Sequence, residues 1–136
     1  GTNLPKKGNV FLSIDDDNKS KLLPIAKKLK QLSFKIIATK GTASFLNNNG
    51  VEVTMVNKVK EGSPHIVNLL LSQKIDLVIN TTKTQHSIRD SYSIRRTSLM
   101  NNIPYYTTMA GAKVAVDAIE VLRKNTLTVT CLQSIN

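Results

Sequence analysis

Apolar and polar residues alternate in blocks along this chain, and the blocks change period in a regular way. Asn9-Val10-Phe11-Leu12-Ser13-Ile14 is a short apolar run stopped by Asp15-Asp16-Asp17-Asn18, which reads as a buried strand. From Lys19 to Leu32, apolar residues at 22, 25, 26, 29 and 32 keep a helical period. Asp17 or Asn18 is placed to cap that helix, and Lys27, Lys28 and Lys30 lie near its C-terminal end, where they complement the dipole. Pro24 is out of place in a helix interior, so the helix either starts late or bends at Leu23. Residues 34–39 form a second strand, broken by Lys40-Gly41 before a short helix from Thr42 to Leu46 that Asn47-Asn48-Asn49-Gly50 closes. A half-exposed strand over 51–56 follows, then a loop from Asn57 to Pro64, a helix over 66–72 and the clearest buried strand, over 75–80. After a polar loop over 81–87 the pattern predicts a helix to about Met100, a short strand over 103–106 and a helix over 110–122. Leu127 to Leu132 reads as a last strand.

Five or six strands alternating with helices imply parallel βαβ units: a three-layer α/β/α domain with a mainly parallel sheet covered on both faces. No linker, repeat or low-complexity segment divides residues 1–136, so a single domain is expected. In such sheets ligands bind outside the carboxyl ends of the strands. Those ends are Ser13 with the loop over 15–19, Thr39 with Lys40-Gly41-Thr42, Val56 with Asn57-Lys58, Asn80 with Thr81-Thr82, and Tyr106 with Thr107-Thr108.

Composition narrows the partner. The 136 residues, 40% of them hydrophobic, suffice for one core and exclude a disordered chain. Nineteen Lys and Arg against nine Asp and Glu give a net charge of +10, which favours an anionic partner. Nucleic acid is disfavoured because aromatics are 4% of the chain and the lysines are scattered rather than set in a stripe with stacking platforms. A lone cysteine, Cys131, excludes an internal disulfide and any Cys-rich zinc site; its β-branched neighbours make it a core or strand candidate. No apolar run reaches the roughly 18 residues of a membrane span and no signal-peptide core is present, so a cytoplasmic protein is expected. A first residue of Gly fits a piece of a longer chain or a cloning scar.

The strand ends suit a phosphate. Gly41 lets backbone approach a ligand as a helix begins, helix N-termini offer free N–H groups, Thr39 and Thr42 carry hydroxyls, and Lys19 or Lys58 can supply countercharge. The plainer reading is that Thr39 ends a strand and Thr42 caps a helix; convergence of several strand ends favours the phosphate. Neither a Walker A loop nor a GxGxxG fingerprint is present. His65 and His86 lack metal-ligand spacing, no metal site is found, and neither Ser63 nor Ser87 lies in a nucleophile elbow. Asp15, Asp16 and Asp17 could hold Mg²⁺ or act as bases, but three acids before a helix read more simply as capping and dipole-compensating residues. Arg89, Arg95 and Arg96 can meet acidic groups, bridge an interface or stay solvated, the last being usual.

The order of these motifs carries a resemblance. Lys19, Thr39-Lys40-Gly41-Thr42-Ala43, Val56-Asn57-Lys58-Val59, Glu61-Gly62, Pro64-His65-Ile66, Ile79-Asn80-Thr81-Thr82, Asp90-Ser91, Ile94-Arg95-Arg96 and Tyr105 with Thr107-Thr108 resemble the C-terminal allosteric domain of the bacterial carbamoyl-phosphate synthase large chain. The likeness covers nearly the whole length. It implies a methylglyoxal-synthase-like fold of about five strands and a domain that does no chemistry, binds UMP as inhibitor and IMP as activator, and helps to form an ornithine site. By motif position it implies that Lys19, Thr39, Thr42 and Lys58 hold the nucleotide phosphate, with Asn80 and Thr82 lining that end. Asp90 and Thr108 would lie nearer the ribose or base, and Thr107 nearer the ornithine interface.

The resemblance implies no cofactor for this domain, and ATP, Mg or Mn, and K for the synthetase domains of a parent ligase serving pyrimidine and arginine biosynthesis. The implied partners are the remainder of the large chain, a small glutaminase subunit and other large chains, with no nucleic acid and no membrane. Two positions depart from some members: Gln85 replaces an arginine, which bears on ribose or base contacts, and Tyr106 replaces an aspartate, which bears on the ornithine response. The alternative in the same fold is methylglyoxal synthase, a lyase acting on dihydroxyacetone phosphate. Its His-Asp pair and Gly-Gly-Asp loop are replaced here by Ile14-Asp15-Asp16 and Lys60-Glu61-Gly62-Ser63, so the loop bearing the base is missing. The segment typical of IMP cyclohydrolase is also absent.

Overall fold

The computed structural model describes residues 5, 7–56, 66–72, 74–81 and 85–135, with the side chains of 66–68, 85–92 and 125–135 outside that description. Among the described residues five strands, β1 (Asn9–Ser13), β2 (Lys35–Ala38), β3 (Thr54–Met55), β4 (Leu77–Asn80) and β5 (Tyr105–Tyr106), alternate with five helices. The helices are α1 (Lys19–Gln31), α2 (Lys40–Asn48), α3 (Ile66–Leu71), α4 (Gln85–Met100) and α5 (Met109–Ile135). All the strand pairs are parallel and the order is β3-β2-β1-β4-β5. The chain builds outward from β1 to β3 and then returns to the other side of β1, so the topological switch point lies between β1 and β4.

The central strands are apolar on both faces because helices cover both. Along β1, Val10 and Leu12 join one core with Leu22, Ala26 and Leu29 of α1, Leu46 of α2 and Val116 and Ile119 of α5. Phe11, between them, joins a second core on the opposite face with Ile37, Val78, Leu70 of α3 and Ile94 of α4. The period-two alternation of the pleat thus assigns each residue of a continuous apolar run to one layer.

Three helices leave in the same way. At the end of α1 the Phe34 N–H donates to Leu29 C=O (3.0 Å) and the Ser33 N–H to Lys30 C=O (3.0 Å). At the end of α2 the Val51 N–H donates to Leu46 C=O (2.9 Å) and the Gly50 N–H to Asn47 C=O (3.2 Å). At the end of α4 the Ile103 N–H donates to Ser98 C=O (2.8 Å) and the Asn102 N–H to Leu99 C=O (3.3 Å). These are Schellman exits, with Ser33 (φ 68°), Gly50 (φ 82°) and Asn102 (φ 57°) in the left-handed conformation. Each is followed by a buried apolar residue, Phe34, Val51 or Ile103, that turns the chain toward the next strand.

The structure corrects several boundaries: β3 is confined to Thr54–Met55 within the strand expected over 51–56, and α4 begins at Gln85, inside the loop expected over 81–87. The segment over 127–132, expected as a sixth strand, is helical and continues α5. No Gly or Pro stands between Leu122 and Leu127, so nothing stops a helix already formed, and a short apolar run does not distinguish the two states by itself. Lys40 and Gly41 belong to the first turn of α2 instead of preceding it. The helix with Pro24 does not start late: α1 begins at Lys19, after a 3-10 turn over Asp16–Asn18.

Candidate functional site

The switch point is built by hydroxyls from the segments that follow the two strands flanking β1, Thr42 in α2 after β2 and Thr81 just after β4. From the α2 side, the Ile14 N–H donates to Thr42 Oγ1 (3.0 Å), and that hydroxyl donates to Ile14 C=O (3.4 Å). From the β4 side, the Asp15 N–H donates to Thr81 Oγ1 (3.2 Å), and the Thr81 hydroxyl donates to the Asp15 carboxylate. The Asn18 amide also donates to that carboxylate (2.7 Å), closing the 3-10 turn that leads into α1. Thr42 and Thr81 are both buried. The side chains of Asp15 and Asn18 make no capping bond to the helical turns they precede. Within the acidic run, Asp15 is thus explained by its reach across to Thr81, and not by capping.

Thr39 stands at the N-cap of α2, yet its side chain makes no cap bond. Its hydroxyl instead points toward Ser13 Oγ at 3.5 Å, and both residues are buried. The first intrahelical bond of α2 runs from the Ala43 N–H to Thr39 C=O (2.7 Å), which leaves the Lys40, Gly41 and Thr42 amides without helical acceptors. The Lys19 ammonium lies against this turn: a Cβ built on Gly41 would be 3.4 Å from Lys19 Nζ. Lys19 is largely covered, and its ion-pair partner Asp16 is 90% exposed. A lysine beside the positive end of a helix is repulsive in the protein alone and favourable once an anion lies between them.

Further along the strand ends, Asn80 Nδ2 donates to the Tyr105 hydroxyl (3.1 Å), tying β4 to β5. Burial raises the Tyr105 pKa; the Asn80 hydrogen bond and the Arg95 charge oppose that shift. Thr107 and Thr108 are exposed, and Thr108 caps α5 by accepting from the Gly111 N–H (3.0 Å). A separate groove of about 560 Å³ between α1 and α5 is lined by Lys21, Pro24, Met109 and Lys113 among others, and none of the phosphate candidates among the described residues is in its walls. Among the described residues no cluster of His, Cys, Asp and Glu could hold a metal ion. No described helix is long and apolar enough to cross a membrane.

The MGS-like domain family model matches residues 21–107, well over half of the chain. This chain belongs to the MGS-like domain family. The domain is 47% identical over 133 residues to the carbamoyl phosphate synthase large chain of Brucella suis biovar 1 (strain 1330), covering 98% of this chain and 11% of that protein. It is 46% identical over 137 residues to the carbamoyl phosphate synthase large chain, C-terminal section, of Methanopyrus kandleri, covering 100% of this chain and 25% of that one. The chain therefore spans a small part of the relatives it matches. Among solved structures, the methylglyoxal synthase of Elizabethkingia anophelis NUHP1 shares the fold, with a TM-score of 0.66 at 22% identity over 83% of this chain and 79% of that one.

In this MGS-like domain, Lys19, Thr39, Thr42 and Asn80 all stand at the carboxyl ends of β1, β2 and β4 or in the first turns of the helices that follow β1 and β2. Thr107 and Thr108 follow β5 at the sheet edge. Lys58 and Thr82 lie outside the described residues, as does the side chain of Asp90, whose backbone is in α4. Ser13 and Thr81 were legible only as strand ends. Their roles depend on which strands become neighbours, and no local signal carries that.

Proposed function

We propose that this MGS-like domain is the regulatory nucleotide-binding domain of a carbamoyl phosphate synthase. In this reading it takes UMP as inhibitor and IMP as activator and contributes to an ornithine response, without chemistry of its own. The observation that carries the reading is Lys19 beside the uncapped first turn of α2 at Gly41, an arrangement suited to a phosphate dianion. Similarity to carbamoyl phosphate synthase large chains over almost the whole domain supports the enzyme context.

The buried Thr42 hydroxyl is engaged with Ile14, so Thr42 serves the phosphate through its amide, and Thr39 through a hydroxyl that makes no cap bond and turns to the phosphate from its long contact with Ser13 Oγ (3.5 Å). Lys58 and Thr82 complete the phosphate end, and Asp90 and Thr108 lie toward the ribose or base. A nucleotide that binds one state of the parent enzyme better than another shifts the equilibrium by that difference, typically about 1–3 kcal/mol.

Titration calorimetry with UMP and IMP tests the proposal. Both nucleotides should bind, and Lys19→Ala should weaken both alike, by about ten- to a hundredfold, because it removes a charged contact to the group they share. Absence of binding by either nucleotide at millimolar concentration refutes the nucleotide reading. An assay for phosphate release from dihydroxyacetone phosphate should be negative; sustained turnover would replace regulation with lyase chemistry.

A further inference from the structure

Lys19 is four positions beyond Asp15, and a single 3-10 turn over Asp16–Asn18 fills the interval. The position of its ammonium therefore depends on where that turn is anchored. The anchor is reciprocal: Thr81 Oγ1 accepts from the Asp15 amide at 3.2 Å and donates to the Asp15 carboxylate, which also receives the Asn18 amide at 2.7 Å. The Asn18 N–H bonds back to Asp15 C=O (3.0 Å), and the Thr81 N–H to Ser13 C=O (3.0 Å), so the turn and the end of β4 are tied as one unit.

We propose that Thr81 and Asp15 form a positioning pair for the phosphate site: neither touches the phosphate, and together they hold the β1–α1 turn so that Lys19 points at the first turn of α2. This rests on the nucleotide reading. A threonine suits the position because one hydroxyl must both accept and donate, and a β-branched side chain restricts its rotamer. Thr81 is 3% exposed, so an unmatched partner there would not be rescued by water.

Electrostatics gives the pair a distinctive signature. A carboxylate near an anion site opposes binding, so charge alone predicts that removing Asp15 strengthens nucleotide affinity. Positioning predicts the reverse. Asp15→Ala and Thr81→Val should each weaken UMP, IMP and inorganic phosphate by about tenfold, whereas Thr81→Ser should retain most of the affinity.

The deciding measurement is a double-mutant cycle by calorimetry on this chain. Once Lys19→Ala is present, Thr81→Val or Asp15→Ala should cost little more, because both act through Lys19. Losses that add in full, an unchanged affinity in Thr81→Val, or tighter binding in Asp15→Ala each overturn the inference. Thermal melts of every variant identify any that fails to fold, and the Asp15 arm then carries the cycle. If the parent chain binds none of the three ligands, the nucleotide reading falls and takes this inference with it. If the parent binds and Lys19→Ala weakens binding while the cycle is additive, only the positioning inference falls.

Discussion

Lys28 of α1 and Asp117 of α5, 89 residues apart in sequence, form an ion pair of 2.6 Å, and Glu120 approaches the same ammonium at 3.3 Å. One turn further on, the Arg123 guanidinium donates to Leu32 C=O at the end of α1. The two helices are thus joined by polar contacts along the rim of the core they cover together.

These contacts set a pH dependence. The hydrogen bond from Lys28 lowers the Asp117 pKa, and the hydrogen bond to Asp117 raises that of Lys28. A depressed carboxylate stabilises the fold above its unfolded pKa and loses that contribution as pH falls through the folded value; a raised lysine contributes below its unfolded pKa and loses it as pH rises through the folded value. The pair is therefore fully effective around neutrality. Asp117→Asn should lower Tm slightly at pH 7, and melts of variant and parent should converge well below the ordinary aspartate pKa of about 3.9. Because the groups are solvent-accessible, high salt should shrink the difference at pH 7.

The helix exits predict opposite effects for two substitutions. Ser33 holds φ 68° in a position that favours glycine, so Ser33→Gly should raise stability by about 0.5–1 kcal/mol. Gly50, at φ 82°, should lose about 1 kcal/mol on replacement by Ala, although its surroundings are open. Urea midpoints should move in opposite directions with unchanged slopes.

Gly8 is constrained by its neighbour as well as its backbone. At φ 125°, an added Cβ would stand 2.0 Å from Asp76 Oδ2, the atom that accepts the Asn9 N–H at 2.8 Å. Gly8→Ala should cost about 2 kcal/mol or more by displacing that carboxylate from the start of β1. Chemical denaturation measures the loss, and amide exchange should show the Asn9 N–H deprotected first.

At the proposed phosphate site, stability and binding should separate. Gly41→Asp places a carboxylate in the first turn of α2, where it favours the helix by about 0.3–1 kcal/mol, and beside the Lys19 ammonium, where it competes with an anion. The variant should melt no lower than the parent while its affinity for UMP, IMP and phosphate falls together. A lowered Tm, or retained affinity, would count against the placement of the phosphate at this turn.

Much of this architecture was readable residue by residue. The runs at Val10-Phe11-Leu12 and Leu77-Val78-Ile79 marked central strands because both faces are buried, and the stop signals after Ser13, Thr39 and Asn80 marked the ends that form the site. Asn47-Asn48-Asn49-Gly50 marked a helix exit because glycine adopts positive φ at little cost, whereas the same exit at Ser33 carried no such residue and was not visible. The C-terminal run over 127–132 has the composition of a strand and the structure of a helix, since six residues of mixed propensity yield to the helix that precedes them.

Local chemistry thus determined the alternation of strands and helices, the polar strand ends, the glycine beside the α2 turn and the lysine that follows the acidic run. Tertiary structure decided the strand order, and with it the partners of the hydroxyls. With β1 between β2 and β4, Thr42 reaches Ile14 from 28 residues away and Thr81 reaches Asp15 from 66. Propensity and capping act over a few residues, whereas these hydrogen bonds form only once strands distant in sequence have been paired by the burial of both faces of the sheet.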